Sequence, residues 1–413
     1  MARHQLRQFP QHHKKTWRPS LRAVLIVPFL LQTLGIVGLV GYLSYRSGQK
    51  AVEELAHDLM MEKSNRLRQH LNSYLGQAQD INDTNLDAFK AGVLDLKDFQ
   101  SLGKYFYRQL KTFDFTYVNF GSSAGGFIGA GYKLSNQLEI AEVSSSKPSQ
   151  FLSYAVDEQG NRLALKTQEN PGVSELAWYQ DAVKAGKQIW SSIYIWPEPY
   201  TQISISASVP VYDQQKKLLG VFGIDLALSQ ISEFLKTLDS QGTGRLLIME
   251  RSGLMVASSG QESLTPVVKG KPTRVNALQS NEPMTRTVAQ TLIKQFGRLE
   301  AIQQPKFFHA DLAQNPSIAK FFHADLTQHL FIKVMPYQDQ YGLDWLVVMV
   351  TPKSDFVAEI QANRDVTILI CLVTLILSTG LGLITSNWIA VPIRHLNAAS
   401  EAIARQFESR GQG

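Results

Sequence analysis

In 413 residues the chain has one cysteine, Cys371, and it lies inside an uncharged apolar run. A single thiol excludes an intrachain disulfide and any cysteine-built metal site. Acidic residues are missing from the first 22 positions, which hold Arg3, Arg7, Lys14, Lys15, Arg18 and Arg22. These six cations equal the whole net charge of +6, so the remainder of the chain is balanced. Phosphate recognition needs surplus positive charge on a folded face, and the balanced remainder argues against nucleic-acid binding. Also absent are a P-loop, a Gly-x-Ser-x-Gly elbow, a His-Glu-x-x-His pair and kinase or cyclase signatures. The glycine-rich stretch at Gly121 lacks the Lys-Ser/Thr that a phosphate loop requires. A membrane-anchored hydrolase therefore has no nucleophile–base constellation to support it, and the chain reads as non-enzymatic and free of cofactor.

Charge is missing from two longer stretches. Ala23–Tyr45 and Val366–Trp388 each run 23 residues without a charged side chain. At the helical rise each is about 34 Å long, enough to cross a hydrocarbon core of about 30 Å. A cleaved signal peptide would have a shorter apolar core and a small-residue cleavage site. A buried core helix rarely stays uncharged for so long. The basic tail precedes the first run, and Arg394, Arg405 and Arg410 follow the second. The positive-inside rule then puts residues 1–22 and 389–413 in the cytoplasm of a bacterial inner-membrane protein, with a large loop outside.

What fills that loop is patterned for a mixed fold. Val52, Leu55 and Leu59, then after a one-residue slip Leu67, Leu71, Tyr74, Ala78 and Ile81, mark an amphipathic helix of about 35 residues. Its narrow stripe suits packing on its own domain or on a second copy. From Phe115 the period becomes two: FTYVNFG as a strand, SSAGGFIGAGY as a turn and return, FLSYAVDEQGNRLALKT as a hairpin. AWYQDAVKAG is a short helix closed by Gly186. QIWSSIYIW predicts a strand with Trp190, Ser192, Tyr194 and Trp196 on one face, returning after Pro197-Glu198-Pro199 through Ile203–Val209. After a helix over Ser229–Leu238, a second module repeats the plan: a hairpin at Arg251-Ser252-Gly253, the helix TRTVAQTLIKQF, the strands QHLFIKVMPY and LDWLVVMVTP, and a helix from Lys353 into the second span.

This α+β plan, a long N-terminal helix with two stacked PAS-like antiparallel-sheet modules flanked by two transmembrane helices, resembles the double Cache sensor domain of bacterial receptors. The resemblance covers residues 46–362, with a distal module at about 80–228 and a proximal one at about 240–352. Members that bind amino acids or amines use a Trp-Tyr pair on the short helix, a following tyrosine and an aspartate ending a Gly-x-x-Gly-x-Asp strand. Here Trp178-Tyr179, Tyr194 and Gly220-Val-Phe-Gly-Ile-Asp225 match. Trp196 and Tyr200 are further candidates, being turn aromatics beside them. The tail from Pro392 through Ile393, Leu396, Ser400, Ile403 and Phe407 is similar to the first helix of a HAMP linker. No second helix follows within the chain, so the reading is a fragment, a truncated product or a partner-completed relay to an absent output domain. The resemblance implies a homodimeric signal-transduction receptor.

Each candidate has a plainer reading. Asp225 ends an apolar strand, where an unpaired carboxylate is costly. A ligand ammonium would satisfy it, with cation–π support from the aromatic faces. Equally, Asp225 could cap the helix that begins near Ala227–Ser229, and the aromatics could be core around a degenerate, ligand-free pocket in a partner-binding or structural protein. Amino-acid-binding members carry an arginine two residues before the Trp-Tyr pair to clamp the ligand carboxylate, and an upstream tyrosine. Those positions are Leu176 and Pro171 here, which favours an amine without a carboxylate. KFFHADL occurs at Lys306–Leu312 and again at Lys320–Leu326. His309, Asp311, His323 and Asp325 could ligate a metal, but the identity of the flanking Lys-Phe-Phe is better explained by tandem duplication in a surface loop.

Topology is directly testable. Reporter fusions after Gln49 and after Gly413 are expected to read periplasm and cytoplasm respectively. A cytoplasmic signal after Gln49 overturns the assignment of the loop.

Overall fold

The structure is a computed structural model describing residues 21–132, 137–170, 172–196, 202–239, 243–268, 270–311 and 329–410. The chain divides into two compact units, Leu55–Phe356 and the paired ends, residues 1–54 with 357–413. In the paired ends, helix α1 (Leu21–Lys90) supplies one apolar segment and α6 (Ser354–Arg410) the other. Within these helices Ile26–Lys90 and Ile368–Ser400 are long and apolar enough to cross a membrane. Phe29 of α1 lies against Gly382 of α6, where an added Cβ would come within 3.0 Å of the ring. Small residues at such a contact let spanning helices approach closely.

In Leu55–Phe356 the continuation of α1 forms a wall. Its buried stripe is Ala56, Met60, Ser64, Leu67, Leu71, Leu75, Ala78, Asn82 and Asn85. These steps of three and four run without a slip. Of the residues expected on it, Val52, Leu67, Leu71 and Ala78 are buried and Tyr74 and Ile81 are half-buried, but Leu55 and Leu59 are 39% and 40% exposed. The correction has a cause: Ser64 turns inward and its hydroxyl meets Met349 Sδ at 3.3 Å, so a polar residue belongs to the stripe and two leucines do not.

Two antiparallel sheets stand along this wall. The first is built from β1 (Tyr117–Ser122), β2 (Phe127–Tyr132), β3 (Leu138–Val143), β4 (Gln150–Val156), β5 (Arg162–Glu169), β6 (Ile189–Trp190), β7 (Tyr194–Ile195), β8 (Ile203–Tyr212) and β9 (Leu218–Ala227), in the order β5-β4-β3-β2-β1-β9-β8-β6, with β7 also on β8. The second is β11-β10-β16-β15-β14, from β10 (Arg245–Glu250), β11 (Met255–Ser258), β14 (Lys306–Asp311), β15 (His329–Gln338) and β16 (Asp344–Pro352). A small hairpin, β12 (Val267–Val268) with β13 (Lys271–Pro272), lies off both. Helix α2 (Phe99–Thr112), capped by Asp98 accepting from Gln100 N and Ser101 N, was not anticipated and packs Phe106 edge-on to Phe222 of β9. Helices α3 (Ala177–Ala185), α4 (Leu228–Leu238) and α5 (Pro283–Phe296) fall where the periodicity put them, and Gly186 caps α3 in the left-handed conformation.

Two expectations change. QIWSSIYIW is not one strand: β6 and β7 are two residues each, and the chain steps out between them. Ser206 N donates to Ser191 Oγ and Ser192 N donates to Asp181 Oδ2, so side-chain oxygens replace ladder bonds there. KFFHAD is not a surface loop but the edge strand β14, paired with β15 from Lys306↔Val334 to Asp311↔His329. The ring of exposed His309 rests against Phe307 and Phe331. The second copy, with His323 and Asp325, lies outside the described residues.

The two sheets are tied at one end. Trp190 Nε1 donates to Asp339 Oδ2 at 2.6 Å, and Trp190 N donates to Tyr341 O at 3.1 Å. Asp339 Oδ1 in turn accepts from Tyr341 N and Leu343 N, each at 2.9 Å, shaping the turn that leads into β16. Trp190→Phe keeps a ring and deletes the donor. A hydrogen bond to a charged acceptor is worth about 1.5–3 kcal/mol, so urea unfolding should show a loss of that order. The effect should be non-additive with Asp339→Asn. Strict additivity would mean the contact contributes nothing.

Candidate functional site

One face of the first sheet carries nearly all its buried polar groups. The register puts Tyr117 opposite Asp225, and Asp225 opposite Ser206. One pair further along, Asn119 faces Gly223 and Gly223 faces Ser208. Residues at i and i+2 share a face, so Tyr117, Asn119, Asp225, Ser206 and Ser208 form one floor. The opposite face, with Phe120, Phe222 and Ile224, is apolar and turned toward α2.

Helix α3 lies over the floor. Its first turn buries Trp178 completely. The indole fits because two facing positions are glycine: an added Cβ at Gly121 would come 2.8 Å from Trp178 Cη2, and one at Gly223 would come 2.8 Å from Cε3. Tyr179, half-buried, meets Trp178 edge-on with ring centroids 5.5 Å apart. Tyr194 and Trp196 close the far side, their centroids 6.2 Å apart, and Trp196 sits 5.2 Å from Tyr117. Trp178, Tyr194 and Trp196 share one core cluster with Tyr117, Phe127 and Phe151, and Tyr179 and Leu176 pack against it. A narrow cleft bordered by Tyr117, Tyr132, Phe151, Trp196 and Gln202 opens beside them.

Asp225 is the carboxyl at the centre of these aromatics and has 0% of its surface exposed; a second carboxyl, Glu139 of β3, is buried as completely on the same face. Tyr194 Oη donates to Asp225 Oδ1 at 2.8 Å. Asp225 Oδ2 has no hydrogen-bond partner among the described residues, although Ser206 and Trp196 stand close enough to draw its pKa down. Burial outweighs them and pushes the carboxyl up to about 7. The same burial, with the adjacent carboxylate, raises the Tyr194 phenol far above its ordinary value. The helix-cap reading of Asp225 fails. The residue at the cap of α4 is Ala227, with no side-chain capping bond, and Ala227 N is instead held by Thr116 Oγ1 at 2.9 Å.

The structure therefore brings Trp178, Tyr179, Tyr194, Trp196 and Asp225 together, while Tyr200 and Pro171 lie outside the described residues. Leu176, at the position of the carboxylate clamp, is apolar and packed on the cluster. Sequence reading missed Tyr117, Asn119, Ser206 and Ser208. Their signal was present in the alternation of TYVNFG and ISISASV, but nothing local says that β1 and β8 flank β9. Among the described residues no group of histidine, cysteine and acidic side chains could hold a metal.

A family profile described as a Cache domain matches residues 46–360. Solved structures similar to the chain include methyl-accepting chemotaxis protein X (14% identity, TM-score 0.45, covering 73% of this chain and 99% of that one). Another is the ligand-binding domain of Mlp24 with asparagine (14%, 0.44, 76% and 99%). A third is the ligand-binding domain of the Pseudomonas aeruginosa PAO1 amino acid chemoreceptor PctC in complex with GABA (16%, 0.40, 71% and 98%). No curated protein sequence matches the chain.

The raised pKa predicts a pH effect of definite sign. The folded state holds the Asp225 proton up to about pH 7, while the unfolded chain releases it near 3.8. The folded state thus binds more protons across that window, so this group's contribution to stability falls as pH rises from about 4 to about 7. The stability difference between wild type and Asp225→Asn, measured by denaturant unfolding at steps of pH, should follow that fall. A difference independent of pH would show that the carboxyl is not buried.

Proposed function

The chain belongs to the Cache-domain family, and from that premise we propose that it is a transmembrane receptor sensing a cationic amine on the far side of the bacterial inner membrane. The observation that carries the reading is Asp225: a carboxyl with no exposed surface and one oxygen without a hydrogen-bond partner among the described residues, set among Trp178, Tyr179, Tyr194 and Trp196. An ammonium would supply the missing partner and hold the carboxyl ionised. The aromatic faces would add cation–π attraction of about 0.5–2 kcal/mol each. The apolar Leu176 leaves a ligand carboxylate without its clamp, which favours amines over α-amino acids.

The remaining parts fit a relay. Residues 46–362 form the sensing region, with the first sheet distal and the second proximal to the membrane. The apolar segments of α1 and α6 serve as the spans, with both ends cytoplasmic. The continuation of α6 through Pro392 to Arg410 is the first helix of a HAMP linker leading to an output domain of kinase, cyclase or chemoreceptor type. Exposed Leu55 and Leu59 offer a second copy an apolar strip on α1, supporting a homodimer. Ligand binding acts only through its differential affinity for two arrangements of the sheets against α1.

The test is a thermal-shift screen of residues 46–362 with matched amines and α-amino acids, since bound ligand stabilises by mass action. Amines are expected to win. Asp225→Asn keeps the shape and removes the counter-charge, at a cost of about 1.5–3 kcal/mol, or ten- to hundred-fold in affinity. Amino acids prevailing over amines would remove the Leu176 argument. No stabilisation by any amine would favour the second reading, supported by the close aromatic packing, of a ligand-free module that serves a structural or partner-binding role.

A further inference from the structure

Asn119 poses a separate question on the floor of the same site. It has 0% of its surface exposed, and neither its Oδ1 nor its Nδ2 has a hydrogen-bond partner among the described residues. Ser208, two strands away in the same row, is equally buried, and its Oγ also lacks a partner. Asn119 is flanked by glycine on both neighbouring strands, at Gly129 of β2 and, between it and Ser208, at Gly223 of β9. An added Cβ at Gly223 would fall 2.6 Å from Asn119 Oδ1 and 2.8 Å from Trp178 Cε3. The carboxamide thus lies over bare backbone, beneath the indole and on the side of Ser208. Native interiors leave few buried side-chain polar groups unpaired. Here the unpaired atoms of Asn119, Ser208 and Asp225 fall on adjacent positions of neighbouring strands, all on one face.

We propose that Asn119 and Ser208 form a second recognition point of this pocket, reading an uncharged group on the ligand that both donates and accepts hydrogen bonds. The inference rests on the reading of Asp225 as the ammonium partner and adds what the rest of the ligand must carry. A carboxamide side chain presents one acceptor and two donors at fixed spacing, and its natural complement is another carboxamide. A second carboxylate is excluded from this point. It would bring a further negative charge onto a face that already buries the carboxyls of Asp225 and Glu139. Asn119 and Asp225 are diagonal neighbours on β1 and β9, about 7–8 Å apart at the backbone and inclined to the same side. An amine and an amide joined through about three or four bonds would reach both.

The test uses the full chain in detergent and isothermal titration with three probes: 3-aminopropanamide, 4-aminobutanamide and pentylamine. Either amide is expected to bind about tenfold tighter than pentylamine, since only the amides satisfy Asn119. Asn119→Leu, close in size, should erase that preference, read as the ratio of amide to pentylamine affinity measured within the variant. Asp225→Asn should weaken all three probes alike. Equal binding of amides and pentylamine by the wild type overturns the proposal and leaves the amine pocket standing. So does a preference that survives Asn119→Leu. Should Asn119→Leu fail to fold, Asn119→Ser replaces it, and an unchanged preference there assigns Asn119 a purely structural role. Failure of all three probes to bind wild type overturns the amine reading itself, and the proposal with it.

Discussion

Both sheets depend on one stripe of one helix. From Ala56 to Asn85 α1 presents a continuous buried edge, and each sheet is registered to it by polar contacts as well as by packing. Ser64 meets Met349, Tyr337 Oη donates to Asn72 Oδ1 at 3.0 Å, and Asn82 Nδ2 donates to Ala207 O at 2.8 Å. Apolar contacts tolerate sliding, whereas directional bonds of this kind hold a particular turn of the helix against a particular strand. Close-packed interfaces shift between discrete arrangements instead of deforming smoothly. A helix keyed to both sheets therefore makes the position of one a constraint on the other.

The two sheets spend their interiors differently. The second encloses an apolar core of Leu247, Met249, Val288, Leu292, Leu330, Ile332 and Val348. The first gathers Asp225, Asn119, Ser204 and Ser208, each with at least one unpaired side-chain atom, on a single face. A fold selected for stability alone would not concentrate unmade hydrogen bonds on four neighbouring strand positions. That clustering is the observation on which the proposed amine site rests. The floor also has a short route to the chain's end. Tyr194 and Trp190 lie on β7 and β6, Trp190 holds the turn at Asp339, and that turn begins β16, which runs into α6.

Much of this is legible in the order of the amino acids alone. Two uncharged runs, the helical stripe, the period-two segments and the Gly186, Gly160 and Gly253 turns located most elements, because those signals are local and strong. The signals failed where a local pattern competes with a tertiary partner. Leu55 and Leu59 look like core by hydropathy, yet Ser64 and Ala56 face the sheet. QIWSSIYIW alternates well enough for one strand, yet Ser191 and Asp181 divert its backbone bonds. LEIAEV and KFFHAD are short and mixed in polarity, and became strands because β2 and β15 offered free edges.

The sequence by itself determined the class of the protein: two apolar segments, a mixed α and β domain between them, one acidic strand end and a set of aromatics nearby. These follow from composition, charge and period, which each residue carries wherever it lies. Only the tertiary structure decided that Asp225 would be stripped of water, that Tyr194 would reach it, and that Tyr117 and Asn119 would share its face. Those outcomes depend on β1 and β8 flanking β9 and on Gly121 and Gly223 admitting the indole of Trp178. Strand order and close approach are relations between distant residues, and a carboxylate's pKa answers to such surroundings instead of its own identity.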